Sequence, residues 1–270
     1  MPSITSLSAT QGHNGDALTI TGTGLGTSAT TTKVYFGGKK VTPNTVSSTS
    51  VTVTVPILCA GQVDVTVIVS GTLSNPKPFF AIGTPQCSFL SSNVAPEAPT
   101  VAITINGSGL ATATAVQFGG TPTTSTVAPV GDSQIPGIVP PGHTVTGTDT
   151  DTVDVTVVTA GGTSVPAGGA TQVTYYKLPT VTSVAPTSGS PGQTGIAVNG
   201  LHLVDVSAVT FTDAVTPANV FVVPLSDIEA TSTTQVLVTA PAGLTPTLVY
   251  NVTATTPGGE STTSAAFTAS

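Results

Sequence analysis

The side chains able to do chemistry are few and widely spread. Three histidines, His13, His143 and His202, could serve as metal ligands or proton carriers. None has the i, i+4 spacing or the neighbouring cysteine that a zinc site needs, so no metal is expected there. A tighter set is Asp149, Asp151 and Asp154, because several carboxylates at close spacing suit a hard cation such as Ca²⁺. Asp154, however, has a counterpart in Asp64 within a repeated segment, which gives it a structural or outward-facing role. Only Asp149 and Asp151 are special to their loop, and a solvated acidic loop is the preferred reading over a Ca²⁺ site. The acids Asp16, Asp132, Asp205, Asp213, Asp227, Glu229 and Glu260 are dispersed, so a glycosidase pair has no support in the sequence, although distant carboxylates can meet in a fold.

Two glycine-rich features read as turns. Gly22-Thr23-Gly24-Leu25-Gly26 follows a strand, as a phosphate loop does, but no helix follows it. Its repeat partner is Gly107-Ser108-Gly109. There is no Gly-x-Ser-x-Gly elbow. No catalytic residue and no cofactor is expected, and the chain is read as a non-enzyme.

Composition narrows the partners. Of 270 residues only 6% are charged, against roughly 25% in ordinary soluble domains. The basic residues are five lysines (Lys33, Lys39, Lys40, Lys77 and Lys177), with no arginine, and the net charge is −7. Nucleic acid demands clustered Lys and Arg, so it is not an expected partner. No run reaches the roughly 18 apolar residues of a membrane-spanning helix, so no membrane insertion is expected. Thr and Ser fill the polar positions instead, and the branched Cβ of Thr favours strands. The opening MPSITSLSAT has neither a basic nor an apolar leader region. Either a signal has been removed, or the protein leaves its cell by another route, or it stays inside.

The elements that would position these groups are short strands in three copies. In the first, Ile4 and Leu7 begin a strand, QGHNGD turns, and Leu18–Ile20, Val34–Phe36, Ser50–Val55, Val63–Val67 and Phe79–Ile82 follow. In the second, VAITINGSGL (101–110) matches LTITGTGL (18–25), VQFGG (116–120) matches VYFGG (34–38), and VDVTVVTAGGTS (153–164) matches VDVTVIVSGTLS (63–74). Its opening, SNVAPEAPT, replaces the Gly-rich turn. Its middle, with Pro129, Pro136, Pro140 and Pro141, is expected to be an extended loop. The third runs through LPTVTSVAPTSGSPGQTGIAVNGLHL (178–203), VTFTD (209–213), Gln235–Thr239, YNVTATTPGGES (250–261) and Ala265–Thr268. Equivalent positions lie about 82–97 residues apart, the length of an Ig-like sandwich. Domains are therefore expected at 1–83, 84–177 and 178–270. The joints lead into Pro85 and Pro179, which makes them semi-rigid.

The pattern Pro-x-Val-x-x-Val-x-Pro-x-x-Gly, an alternating strand ending in Gly, Phe-Gly-Gly, Val-Asp-Val-Thr-Val and a paired-Gly turn resembles the IPT/TIG domain, in three copies. The resemblance implies an all-β chain of three tandem immunoglobulin-like β-sandwiches. The third copy departs at Leu203, where phenylalanine is common in the family, and at Thr212-Asp213, where the others have Gly-Gly. Such domains occur in cell-surface receptors, transcription factors, polysaccharide-acting enzymes and phage structural proteins, so the fold alone chooses no function.

Phe36, Phe118 and Phe211 occupy one repeated core position, and of Tyr175-Tyr176 at most one is expected to face out. A surface this poor in charge suits packing against other copies of the chain or against virion or cell-surface proteins. The leading expectation is a phage virion surface component, a capsid-decorating or tail protein. The alternative is a secreted bacterial cell-surface adhesion or carbohydrate-binding protein, with surface carbohydrate as its partner. The location is accordingly virion, extracellular or cell surface.

In an Ig-like sandwich Cys59 lies in the fifth-to-sixth connection, and the seventh strand ends at the same pole just before Cys87. A Cys59–Cys87 disulfide across the first joint is expected, worth roughly 3 kcal/mol by loop entropy.

Overall fold

The computed structural model describes residues 1–58 and 60–270. The chain is nearly all β. Among the described residues the helical content is two three-residue 3-10 turns, Gly169–Thr171 and Leu225–Asp227. It forms three tandem immunoglobulin-like sandwiches. It also divides into two compact units: Met1–Ser91 with Ile103–Ile138 and Val155–Thr171, and Ser92–Ala102 with Val139–Asp154 and Gln172–Ser270.

The first sandwich shows the plan. Its strands are β1 (Ser3–Leu7), β2 (Gln11–His13), β3 (Ala17–Thr23), β4 (Thr32–Phe36), β5 (Lys39–Val41), β6 (Thr45–Val46), β7 (Ser50–Thr54), β8 (Gly61–Val69), β9 (Thr72–Leu73) and β10 (Lys77–Ile82). One sheet has the order β1-β3-β7-β6; the other runs β2-β10-β8-β4-β5, with β9 on β8. Alternation decides the faces. In β3, Leu18, Ile20 and Gly22 point inward while Thr19 and Thr21 do not, as period-two side chains require. The core gathers Ile4, Leu18, Ile20, Leu25, Val34, Phe36, Val51, Val53, Val65, Val67 and Phe79, with the Phe36 and Phe79 rings edge to face at 5.5 Å. The tract read as a turn around His13 contains a short strand, β2, lying parallel to β10.

The third sandwich repeats the plan. Thr180–Ala185, Ile196–Leu201, Gln235–Val238 and Ile228–Ser232 make one sheet; Ser188–Gly189, Ala265–Ala269, Val249–Thr256, Ala208–Asp213 and Val220–Val223 make the other. Phe211 and Phe267 meet edge to face at 5.5 Å, as Phe36 and Phe79 do. The register confirms the repeat: Phe36 stands opposite Val65, Phe118 opposite Val155 and Phe211 opposite Val252.

In the middle copy, Ala115–Phe118 pairs with the later half of the strand Thr150–Thr159, in the first unit. The earlier half pairs with Gln172–Tyr176, in the second. The extended loop expected between Phe118 and Asp149 is corrected in part. Gln134–Ile138 is a strand, paired with Ile103–Ser108. Pro136 fits because the strand is an edge and its register shifts beside Pro136, where a missing N–H leaves no ladder bond empty.

Two repeated devices hold these sandwiches. Gly22, Gly107 and Gly200 end the alternating strand where the neighbouring chain crosses so closely that a Cβ would land on the carbonyl oxygen of Ser3, Gln86 or Thr180. Each crossing coincides with a register shift in the opening strand. Ser74, Ser164 and Ser261, all buried, each accept a backbone N–H on their hydroxyl, from Val67, Val157 and Ala254 at 2.9, 2.9 and 3.2 Å. The three quoted repeat segments end on these serines, yet residue type alone gave them no role.

The Thr212-Asp213 departure has a plain cause. Gly37 and Gly119 turn with φ of +56° each. Buried Asp213 instead accepts the N–H groups of Val215 and Thr216 at 2.9 and 3.1 Å, closing a longer turn. Those bonds lower its carboxyl pKa. Leu203 is buried where the family favours phenylalanine, level with Leu25 and Leu110.

Candidate functional site

The polar groups singled out in the sequence concentrate in the second unit, on the loop His143–Asp151 and the turn His202–Asp205. The loop is tied down before it does anything else. The opening SNVAPEAPT carries a short strand, Val94–Pro96, parallel to Thr174–Tyr176. Glu97 then takes the His143 N–H on its carbonyl at 2.9 Å and the Val145 N–H on its carboxylate at 2.8 Å. Asp16 plays a like part in the first copy, taking the Val55 N–H on its carbonyl and the His13 N–H on its carboxylate.

Asp151 sits at the centre of this loop. Its carboxylate accepts the Thr146 N–H at 2.7 Å, the Gly147 N–H at 3.0 Å and the Thr146 hydroxyl at 3.1 Å, and faces His143 Nε2 at 3.2 Å. The Thr146 N–H above all, with Gly147 and the two side chains behind it, holds its carboxyl at about 2. The His143 ring lies against Tyr175, centroids 4.7 Å apart, and the Tyr175 hydroxyl donates to Pro141 O at 3.0 Å.

Asp149 and Asp154 go elsewhere. Asp149 Oδ1 meets His202 Nδ1 at 2.8 Å, and Asp154 Oδ1 accepts from Gln172 at 2.9 Å. The candidate Ca²⁺ ligands are therefore engaged by three different partners. Among the described residues, no group of three or more His, Cys, Asp or Glu is placed to hold a metal ion.

His202 and Asp205 both have φ in the left-handed region, +58° and +52°. The turn they form reaches the end of the second sandwich, where the Tyr176 hydroxyl donates to Asp205 at 2.7 Å. Burial first, then the facing carboxylate, pushes the Tyr176 phenol up to about 12. Beside them, Lys177 Nζ donates to the carbonyls of Gly147 and Thr148 at 2.8 and 3.2 Å. Tyr175 and Tyr176 are both buried, so neither faces out. Residue types alone did not show that His202, Asp205 and Tyr176 meet, because they approach only through the fold.

The other candidates lie in the first unit. His13 Nδ1 faces Asp16 at 3.3 Å, its Nε2 meets Ala160 O, and the His13 N–H first of all lowers the Asp16 carboxyl pKa. Gly22–Gly26 closes against Met1, Ser3 and Thr32 as a turn. Cys87 is a buried free thiol, pushed up to about 11 by burial; Cys59 lies outside the described residues. Among the described residues, no helix is long and apolar enough to cross a membrane.

This arrangement fastens loops and sandwiches. No curated protein matches. Among solved structures, one crystallised with a xylogluco-oligosaccharide is 20% identical, covers 99% of this chain and 60% of its own, and has a TM-score of 0.40. The full extracellular region of plexin A4 is 17% identical over 91% of this chain and 21% of its own, at a TM-score of 0.36. The Bacteroides ovatus SGBP-B, from a mixed-linkage glucan utilization locus and bound to a heptasaccharide, is 19% identical over 89% and 60%, at 0.29. The chain thus spans less than two thirds of each of these proteins. The model of the IPT/TIG domain matches residues 2–81, which make up the first sandwich, and the chain as a whole is a tandem of three Ig-like sandwiches.

Proposed function

We propose that the chain is a non-enzymatic interaction protein of the cell surface or the secreted space, serving adhesion or glycan binding. Its modules would be 1–83, 84–177 and 178–270. The observation that carries the reading is the employment of its reactive groups. His13, His143 and His202 each face an aspartate, and Tyr175 and Tyr176 donate to Pro141 O and Asp205. Groups so engaged hold a scaffold together. The virion reading draws no support from the comparisons, and the cell-surface reading takes its place.

A surface of Thr and Ser without arginine suits neutral, hydroxyl-rich ligands better than phosphates, which call for guanidinium forks. Phe89 is the one aromatic among the large exposed hydrophobics of the described residues. It stands on the strand Gln86–Leu90, whose Gln86, Cys87 and Ser88 line a cleft with Val165 and Ala167. The exposed Phe89 ring, on the strand that supplies part of that cleft's wall, would offer a stacking face to a sugar.

The test is calorimetry of the whole chain against a panel of neutral oligosaccharides, including xyloglucan and mixed-linkage glucan fragments. Binding lost in Phe89→Ala supports the glycan arm, and retention on intact bacterial cells without glycan binding supports adhesion. Absence of both overturns the proposal.

A further inference from the structure

The paired-glycine turn is not equivalent in the three sandwiches, and the difference follows position along the chain. In the second copy it reads Thr159-Ala160-Gly161-Gly162 and in the third Thr256-Pro257-Gly258-Gly259; the first has Val69-Ser70-Gly71-Thr72. Where the threonine is present it is buried, and its hydroxyl accepts the N–H of the first glycine, at 3.0 Å for Gly161 and 3.1 Å for Gly258. The second glycine then takes the positive φ, +110° at Gly162 and +120° at Gly259. In the first copy the positive φ falls on Ser70 and Gly71 instead, so the turn is of another kind.

The first glycine of each pair has a neighbour that Gly71 lacks. A Cβ on Gly161 would land on the carbonyl oxygen of Gly83, and one on Gly258 on that of Lys177, well inside the 3.0 Å that real Cβ atoms respect. Around Gly71 nothing lies within 4 Å. Gly83 and Lys177 directly follow Lys77–Ile82 and Gln172–Tyr176, the last strands of the preceding sandwiches. Neither Gly161 nor Gly258 has a positive φ, so what demands glycine there is the close approach, not backbone conformation. The turns are gripped from the side as well. His13 Nε2 meets Ala160 O at the first joint, and Leu178 lies against Gly259 at the second.

We propose that Thr-x-Gly-Gly is a docking turn that fixes each joint: the threonine hydroxyl orients the first glycine, whose bare Cα seats on the last carbonyl of the preceding module. The joint is thereby set by contact as well as by the proline that follows it. This inference stands whether the array binds glycans, proteins or nothing known.

Trypsin supplies the test, because Lys177 is at the second joint and residues 178–270 contain no Lys or Arg. Release of that fragment reports cleavage at Lys177 alone. Wild-type protein should resist, with the Lys177 ammonium held on two carbonyls and its own carbonyl covered by Gly258. Gly258→Ala should release the fragment about tenfold faster, since a Cβ in a closed contact forces the joint open. Thr256→Val, which gives the third turn the first copy's residue, should also accelerate release. Gly38→Ala, at a glycine with open space around it, should not. Release within twofold of wild type in Gly258→Ala overturns the proposal; should that variant not fold, an unchanged rate in Thr256→Val does so.

Discussion

The Tyr176 hydroxyl, at the end of the second sandwich, donates to the Asp205 carboxylate of the third across 2.7 Å. A charge-assisted bond of this length is among the stronger single contacts a protein makes. It ties the second joint through a turn in which His202 and Asp205 adopt left-handed backbone. Tyr176→Phe should therefore cost about 1.5–3 kcal/mol, measured by chemical denaturation of the whole chain. A loss below about 0.5 kcal/mol would mean the bond contributes nothing net.

The repeated phenylalanines should be equal in weight. Phe36, Phe118 and Phe211 are all buried and share one register position. Truncation to Ala leaves a cavity as well as losing apolar burial, about 3–5 kcal/mol at each site. A loss under about 1 kcal/mol at any one would show that its sandwich packs differently.

The buried serines should behave as a set too. In Ser74→Ala, Ser164→Ala or Ser261→Ala an N–H of the central strand loses its acceptor in a dry interior. About 1–3 kcal/mol is expected for each. Substitution by threonine, which restores the hydroxyl, should recover part of it; recovery in none would assign the loss to packing.

Acid should loosen the His143–Asp151 loop. The Asp151 carboxyl is held at about 2, below its ordinary 3.8. A depressed acid stabilises the fold above its unfolded pKa, and that contribution is lost as pH falls through the folded value. Thermal melts between pH 5 and pH 2 should therefore fall less steeply for Asp151→Asn than for the wild type. Parallel curves would contradict the assignment.

In the reduced protein, the state in which the structure shows Cys87 as a free thiol, Cys87 should resist thiol reagents while the fold is native, since burial pushes its thiol up to about 11 and only the thiolate reacts. The Cys59–Cys87 bridge stays a proposal. Denaturation without reductant should expose no reactive thiol if the bridge forms, whereas two reactive thiols would exclude it.

Much of the fold was legible because alternation and repetition are local. Val34–Phe36, Ser50–Val55 and their counterparts needed only period-two patterning and the spacing of Phe-Gly-Gly. Gln134–Ile138 was missed because Pro136 argues against a strand, and only its place at an edge with a shifted register lets it pair. Val220–Val223 and Ile228–Ser232 are edge strands beyond the departures at Thr212-Asp213, where no repeat partner guides the eye. The site was less legible still. Asp149 and His202 are 53 residues apart and belong to different copies, so only the fold unites them. The acidic spacing that suggested Ca²⁺ lies on a strand and its approach, where Asp149, Asp151 and Asp154 each reach a different partner.

The measurement that tests the account most directly is surface labelling of intact producing cells with an antibody to this chain, alongside fractionation of cytosol, envelope, medium and particles. Label is expected on the unpermeabilised cell, lost when external protease is added, or else protein in the medium. Protein confined to the cytosol, or recovered only in virus particles, would contradict it.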